Sequence, residues 1–221
     1  MSHEPDKQSC FASLAKRVSV ATVTNQIHTI GDPTSMKIVS ISGSPSQRSR
    51  SGWLLQLAQT RLEGFAISST SIAVRDLPPA ALLAADVHAE PIRAAIAKVA
   101  EADLIIVATP IYKAAYSGLL KVFLDLLPTD ALRGKSVLPL ATGGSLAHLL
   151  ALDYTLKPVL SVLGARDILD GVFATDAQLV PHESGGYVPD DGLVERLDRA
   201  LRPLTGGAAR QPIAPALARA A

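Results

Sequence analysis

The run Leu104 to Ala108, LIIVA, decides the fold. Consecutive apolar residues without polar alternation read as a strand buried on both faces, the kind that a helix-covered parallel sheet requires. The same grammar extends outward on both sides. Upstream lie a helical stretch at about Pro91 to Glu101, a β-rich run Phe65 to Val74, a helical stretch at about Arg50 to Glu63, and the run Lys37 to Ser42, KIVSIS. Downstream, a helix at about Ser117 to Leu127 stops at Pro128, and Ser136 to Ala141, SVLPLA, reads as a strand. A long apolar helix at about Leu146 to Leu163 ends at Gly164. Asp167 to Phe173 is a fifth strand, and a last helix covers about Asp191 to Leu201.

Strands that alternate with helices build a parallel sheet through right-handed crossovers. Five such units predict an α/β protein: a flavodoxin-like, doubly wound five-stranded parallel sheet in the order 2-1-3-4-5, with helices on both faces. The periodic pattern fills residues 36–205, one domain. Residues 1–35 end in Gly31-Asp32-Pro33-Thr34-Ser35 and read as a disordered N-terminal extension; residues 206–221 are rich in Ala, Gly, Pro and Arg and read as a flexible tail.

Composition narrows the function. The 221 residues are 48% hydrophobic but only 4% aromatic, so the core is aliphatic. With 21 basic and 20 acidic residues the net charge is +1, which excludes a phosphate-tracking surface and argues against nucleic acid as a partner. The single cysteine, Cys10, and the lack of any Cys/His cluster with metal-ligand spacing point to no metal and to a reducing cytoplasm. The uncharged stretch Ser136 to Leu152 falls short of the ~20 apolar residues of a membrane span, and the N-terminus lacks a secretory pattern.

In this sheet order, ligands bind beyond the carboxyl ends of strands 1 and 3, where the strand order reverses. The loops there are the most unusual in the chain. After strand 1, Gly43 to Gly52 (GSPSQRSRSG) offers hydroxyls, two guanidiniums and a helix start, which together suit a phosphate. It matches neither the dinucleotide glycine fingerprint nor a Walker A loop. The bland alternative is a polar loop with a serine N-cap. After strand 3, Thr109 to Gly118 (TPIYKAAYSG) is a proline-stiffened turn whose tyrosines pack on a planar ring or only cover the sheet end. After strand 4, Thr142-Gly143-Gly144-Ser145 brings bare backbone N–H groups to a heterocycle edge or makes a tight turn. One phosphate loop and two ring-approaching loops suggest a mononucleotide with a flat ring, and FMN fits best. ATP would need Mg²⁺ ligands and a base that the sequence does not offer.

These residues carry a resemblance. Ala108 to Leu127 (ATPIYKAAYSGLLKVFLDLL) resembles the NAD(P)H-dependent FMN reductases. Gly134 to Leu150 (GKSVLPLATGGSLAHLL) and Leu152 to Leu160 (LDYTLKPVL) are similar to the branch that supplies reduced FMN to alkanesulfonate monooxygenases. The similarity spans about Lys37 to Leu201. It implies non-covalent FMN, reduction by NADPH or NADH, a homodimer or homotetramer, and a flavin-dependent monooxygenase as recipient. By motif, it implies that Ser44, Ser49, Arg50 and Ser51 hold the phosphate. Pro110, Ile111, Tyr112 and Lys113 would line the ring, and Thr142, Gly143, Gly144 and Ser145 would contact its edge. Hydride passes between the nicotinamide and flavin rings, so no side chain is assigned as catalytic acid or base.

Two further residues stand out. His148 lies one turn into the helix after the paired glycines and reads as a helix-face packing residue. Tyr154 precedes Pro158 by four residues; Pro158 cannot donate an N–H to the Tyr154 carbonyl, so the helix must kink or bulge. A π-type bulge there would make Tyr154 a candidate for oligomer contact and flavin exchange. Other readings remain beside the main one: a reductase that keeps its FMN and reduces quinones, azo dyes or metal oxyanions, a flavodoxin-type electron carrier, or a flavin-binding sensor.

Overall fold

The structure, a computed structural model, describes residues 36–206. The expectations for residues 1–35 and 207–221 lie outside the described residues. The main sheet runs in the order β2-β1-β3-β5-β6, which is the predicted order. Its strands are β1 (Met36–Ser42), β2 (Ala66–Ala73), β3 (Leu104–Tyr112), β5 (Ser136–Gly143) and β6 (Asp167–Ile168), all parallel. Two short strands complete it: β4 (Ala115–Tyr116) pairs antiparallel with β3, and β7 (Val172–Thr175) pairs parallel with β5.

Side chains alternate between two cores because successive strand residues face opposite sides. Val39, Ile41, Ile105, Val107 and Val137 pack on one face with α3 (Glu90–Glu101), α4 (Gly118–Leu124) and α5 (Lys157–Val162). Ile38, Leu104, Ile106, Leu138 and Leu140 pack on the other with α1 (Arg50–Leu62) and α6 (Asp191–Leu201). A short helix α2 (Pro79–Leu83) covers the first face with Leu82. After β7, an antiparallel hairpin of β8 (Leu179–Pro181) and β9 (Tyr187–Pro189) stands apart from the main sheet.

Three expectations need correction. The fifth strand is not continuous over 167–173 but breaks between β6 and β7. The cause is Pro139 in the neighbouring β5. Leu169 N–H donates to the Val137 carbonyl, so that edge of β5 faces the fifth strand, and the same edge lacks an N–H at Pro139. Gly171 fills the gap, where a Cβ would lie 3.1 Å from Leu152 Cδ1 and 3.4 Å from Pro139 Cγ. Second, the third strand extends to Tyr112 and folds back, so part of the expected loop 109–118 is strand. Third, the expected helix 146–163 is broken into a 3-10 turn, Leu146–His148, a π-helix, Leu152–Leu156, and α5.

Across the α1/α6 layer, Arg61 Nε lies 3.3 Å from Asp198 Oδ1, with the arginine side chain 7% exposed and the aspartate 46%. Removing the carboxylate leaves a nearly buried guanidinium unpaired, which costs about 1–3 kcal/mol. Asp198→Ala is expected to lower the urea midpoint accordingly. An unshifted midpoint would show that the pair adds nothing to the packing of α1 on α6.

Candidate functional site at the carboxyl end of the sheet

The predicted loops converge because their strands are neighbours. Ser42 pairs with Ala108, and Pro110 pairs with Thr142, so the chain leaves β1, β3 and β5 side by side. The strand order reverses between β1 and β3. All twelve residues expected at the cofactor lie on these three exits or on the first turn of α1.

Ser117 joins the first two loops. It caps α4 by accepting from Leu120 N–H at 3.1 Å. Its hydroxyl donates to the Gly43 carbonyl, and its own N–H donates to Thr109 Oγ1 at 3.0 Å. Gly43 N–H in turn donates to the Ala108 carbonyl at 2.8 Å. The approach is close: a Cβ on Gly43 would sit 2.6 Å from Leu120 Cβ and 3.3 Å from Ser117 Oγ.

In the loop after β1, Ser44 is buried and Pro45 to Arg48 are exposed. Ser44 Oγ accepts from Ser46 N–H at 3.2 Å. Ser49 is the N-cap of α1, its hydroxyl accepting from Gly52 N–H at 3.0 Å. Ser42 and Ser51 stand at the two ends of the loop, each buried with a hydroxyl that has no hydrogen-bond partner. Hydroxyls without a partner flanking a helix start fit a phosphate, which supplies several acceptors. Arg50 is turned toward the C-terminal hairpin. Its Nε donates to the Leu179 carbonyl at 3.3 Å and lies 3.5 Å from Asp176 Oδ1, with the guanidinium 5.2 Å from the Tyr187 ring centre. Tyr187 meets Trp53 of α1 edge to face, at 6.5 Å between centroids. Sequence reading did not anticipate this hairpin, whose anchors are far apart in the chain.

The β3–β4 hairpin turns through Lys113 and Ala114, both with positive φ, at 50° and 64°. Two consecutive left-handed residues are what a two-residue hairpin turn demands, and neither residue is a glycine or asparagine. The strain, about 1–2 kcal/mol per residue, is held by pairing of Tyr112 with Ala115 and Ile111 with Tyr116. Tyr112 projects 53% exposed beside the loop exits, while Ile111 is buried. Burial pushes the Tyr116 phenol above its usual pKa, with Lys121 opposing and Asp125 adding to the rise, so this hydroxyl stays protonated at neutral pH.

At the end of β5, Thr142 and Gly143 are buried, and the next two residues, Gly144 and Ser145, are exposed. Phe173 packs over Gly143, where a Cβ would lie 3.0 Å from Phe173 Cζ. A Cβ on Gly144 would meet nothing within 4 Å, so this bare backbone fronts open space. Ser145 caps the following 3-10 turn, accepting from Ala147 N–H at 3.2 Å. His148 is half-buried in that turn.

The π-helix comes next. Lys157 N–H donates five residues back to the Leu152 carbonyl, and Pro158 then opens α5. Tyr154 is 75% exposed. Leu146, Leu149, Leu150 and Val162 are exposed along the same segment. Among the described residues no group of three or more His, Cys, Asp or Glu could hold a metal, and no helix is long and apolar enough to cross a membrane.

Comparison with known proteins shows the family and the fold. The sequence model of a family described as "NADPH-dependent FMN reductase" matches residues 36–179. The chain is 48% identical over 167 residues to the "FMN reductase (NADPH)" of Escherichia coli (strain K12), covering 75% of this chain and 86% of that one. It is 47% identical over 180 residues to the protein of the same description from Pseudomonas putida (strain KT2440), covering 80% and 90%. Its fold matches the apo crystal structure of an "NADH:FMN oxidoreductase" with a TM-score of 0.70 and 40% identity, over 80% of this chain and 92% of that chain.

The contact at Gly43 gives a sharp expectation. Gly43→Ala must push α4 away from β1 or distort the loop, at about 1–3 kcal/mol. Thermal unfolding should show the loss, and FMN titration should show weaker binding. A variant of unchanged stability and affinity would mean that α4 yields freely at this point.

Proposed function

The chain belongs to the NADPH-dependent FMN reductase family and is an oxidoreductase of FMN and NAD(P)H; we propose that it releases reduced FMN to a separate flavin-dependent monooxygenase that acts on sulfonates, in the cytoplasm. The observation that carries the flavin reading is the junction of three loops at the β1/β3 reversal, with partnerless hydroxyls at one side and open glycine backbone at the other. When bound, FMN supplies the hydride-accepting ring and the nicotinamide supplies the hydride.

The chain's own part is to bind and orient. Ser44 in the loop after β1 and Ser49, Arg50 and Ser51 at the start of α1 receive the phosphate. Pro110, Ile111, Tyr112 and Lys113 flank the ring from the rigid hairpin. Thr142, Gly143, Gly144 and Ser145 present backbone donors to its edge, where negative charge grows on reduction. No acid–base pair is required of the protein for this transfer. The resemblance of residues 134–150 and 152–160 to the reductases of alkanesulfonate systems supports the monooxygenase as recipient.

Purified protein is expected to oxidise NAD(P)H in proportion to added free FMN, with FAD a poorer substrate. Absorbance at the nicotinamide band measures this. Turnover that ignores free FMN and depends instead on a quinone or azo dye would favour a reductase that keeps its flavin, and negligible oxidation would favour a carrier or sensor.

The exposed apolar residues Leu146, Leu149, Leu150, Tyr154 and Val162 along this segment support assembly of the chain with copies of itself, as a dimer or tetramer. Patches of this kind on a water-facing segment mark interaction sites. Deleting Tyr154 should return the helix to an unbroken phase, rotating the later residues of the helix by about 100°. The oligomer should then weaken and FMN should co-purify. Tyr154→Ala should keep the helix phase while removing the aromatic contact. Light scattering and flavin absorbance decide: wild-type mass and flavin release in both variants would reduce Tyr154 to a packing residue.

A further inference from the structure

Arg75 belongs to none of the motifs in the loops after β1, β3 and β5. It comes after β2 in a single 3-10 turn, Val74–Asp76. Strand register brings it to the site. Ser42 pairs with Ala73, so the chain leaving β2 runs beside the chain leaving β1, and Arg75 comes to stand next to the Ser44–Ser46 turn. Its Nη1 donates to the Ser46 carbonyl at 3.4 Å. Its Nε is buried and lies 3.5 Å from Asp76 Oδ1. The side chain is only 24% exposed, so the guanidinium lies along the loop.

Ser46 is the residue on which the loop folds. Its N–H donates to Ser44 Oγ at 3.2 Å, and its hydroxyl donates to the Arg48 carbonyl at 3.1 Å. With the bond from Arg75, the N–H, hydroxyl and carbonyl of Ser46 are all engaged. The other two guanidiniums nearby behave differently. Arg48 is exposed, and Arg50 leans on Asp176, the Leu179 carbonyl and the Tyr187 ring. Arg75 is thus the cation that pins the loop from a neighbouring strand.

Resting on the reading that this loop takes the FMN phosphate, we infer that Arg75 is a positioning residue that selects phosphorylated over unphosphorylated flavin. It holds Ser46 so that the loop keeps its folded shape, and its guanidinium, which also faces Asp76 at 3.5 Å, brings positive charge to the loop that takes the dianion. Its effect falls on the phosphate and not on the isoalloxazine ring. That separates it from a residue that merely supports the fold.

The test is flavin-fluorescence titration of the full-length chain and its Arg75→Ala and Arg75→Lys variants, with FMN and with riboflavin. Arg75→Ala is expected to weaken FMN about tenfold, the scale of one charged hydrogen bond. Riboflavin affinity should stay within about twofold, and Arg75→Lys should recover most of the FMN affinity because the charge and a donor remain. Equal weakening of both flavins would make Arg75 a fold residue and overturn the inference. So would unchanged FMN affinity in Arg75→Ala, or an Arg75→Lys variant as weak as the alanine. A wild-type chain that binds FMN no better than riboflavin would instead strike at the phosphate reading of the loop itself.

Discussion

The carboxyl edge of the sheet depends on how closely α4 approaches the end of β1. A Cβ at Gly43 has no room against Leu120, and the Ser117 hydroxyl spans the remaining distance to the Gly43 carbonyl. That one serine, itself buried, caps α4 and ties the exit of β1 to Thr109 on the exit of β3. Together with the bond from Gly43 N–H to the Ala108 carbonyl, it ties the loop proposed to take the phosphate to the hairpin proposed to flank the ring, and a flavin must be held at both its phosphate and its ring.

The main topology was legible because aliphatic strands of a two-sided parallel sheet are unmistakable: LIIVA has nowhere polar to turn. The broken fifth strand was legible in principle from Pro139, since a proline in a central strand must withhold an N–H from one neighbour. Its consequence fell about thirty residues away, however, and only pairing reveals which neighbour loses the bond. The π-helix was foreshadowed by Pro158 for a local reason, the missing donor four residues after Tyr154. The β3–β4 hairpin was not, because Lys113 and Ala114 lack the Asn or Gly that normally announces left-handed turn residues.

The three strand exits that make the candidate site were legible as unusual loops, and their wiring was not. Loop composition marked the 43–52 loop and the paired glycines, and the resemblance singled out Ser44 within the first. Composition also suggested Arg50, yet its Nε is taken up by Asp176 and the Leu179 carbonyl, more than a hundred residues downstream. Conversely Arg75 looked like any charged residue after a strand. Its place beside Ser46 comes from parallel register between β1 and β2, and register is a property of pairs of strands, not of either one.

Two unusual backbone features of the described residues meet each other. The β3–β4 hairpin, with its left-handed pair, packs against the π-helix. The hairpin carries the exposed Tyr112, and the π-helix carries the exposed Tyr154. A π-turn adds one residue to a helical turn, and the hairpin rests on a segment built that way. Strained turns persist where their surroundings over-determine them. Here the surroundings of the left-handed pair at Lys113 and Ala114 include a helix segment that is itself irregular, so the hairpin's support comes from a π-helix as well as from its own strand pairing.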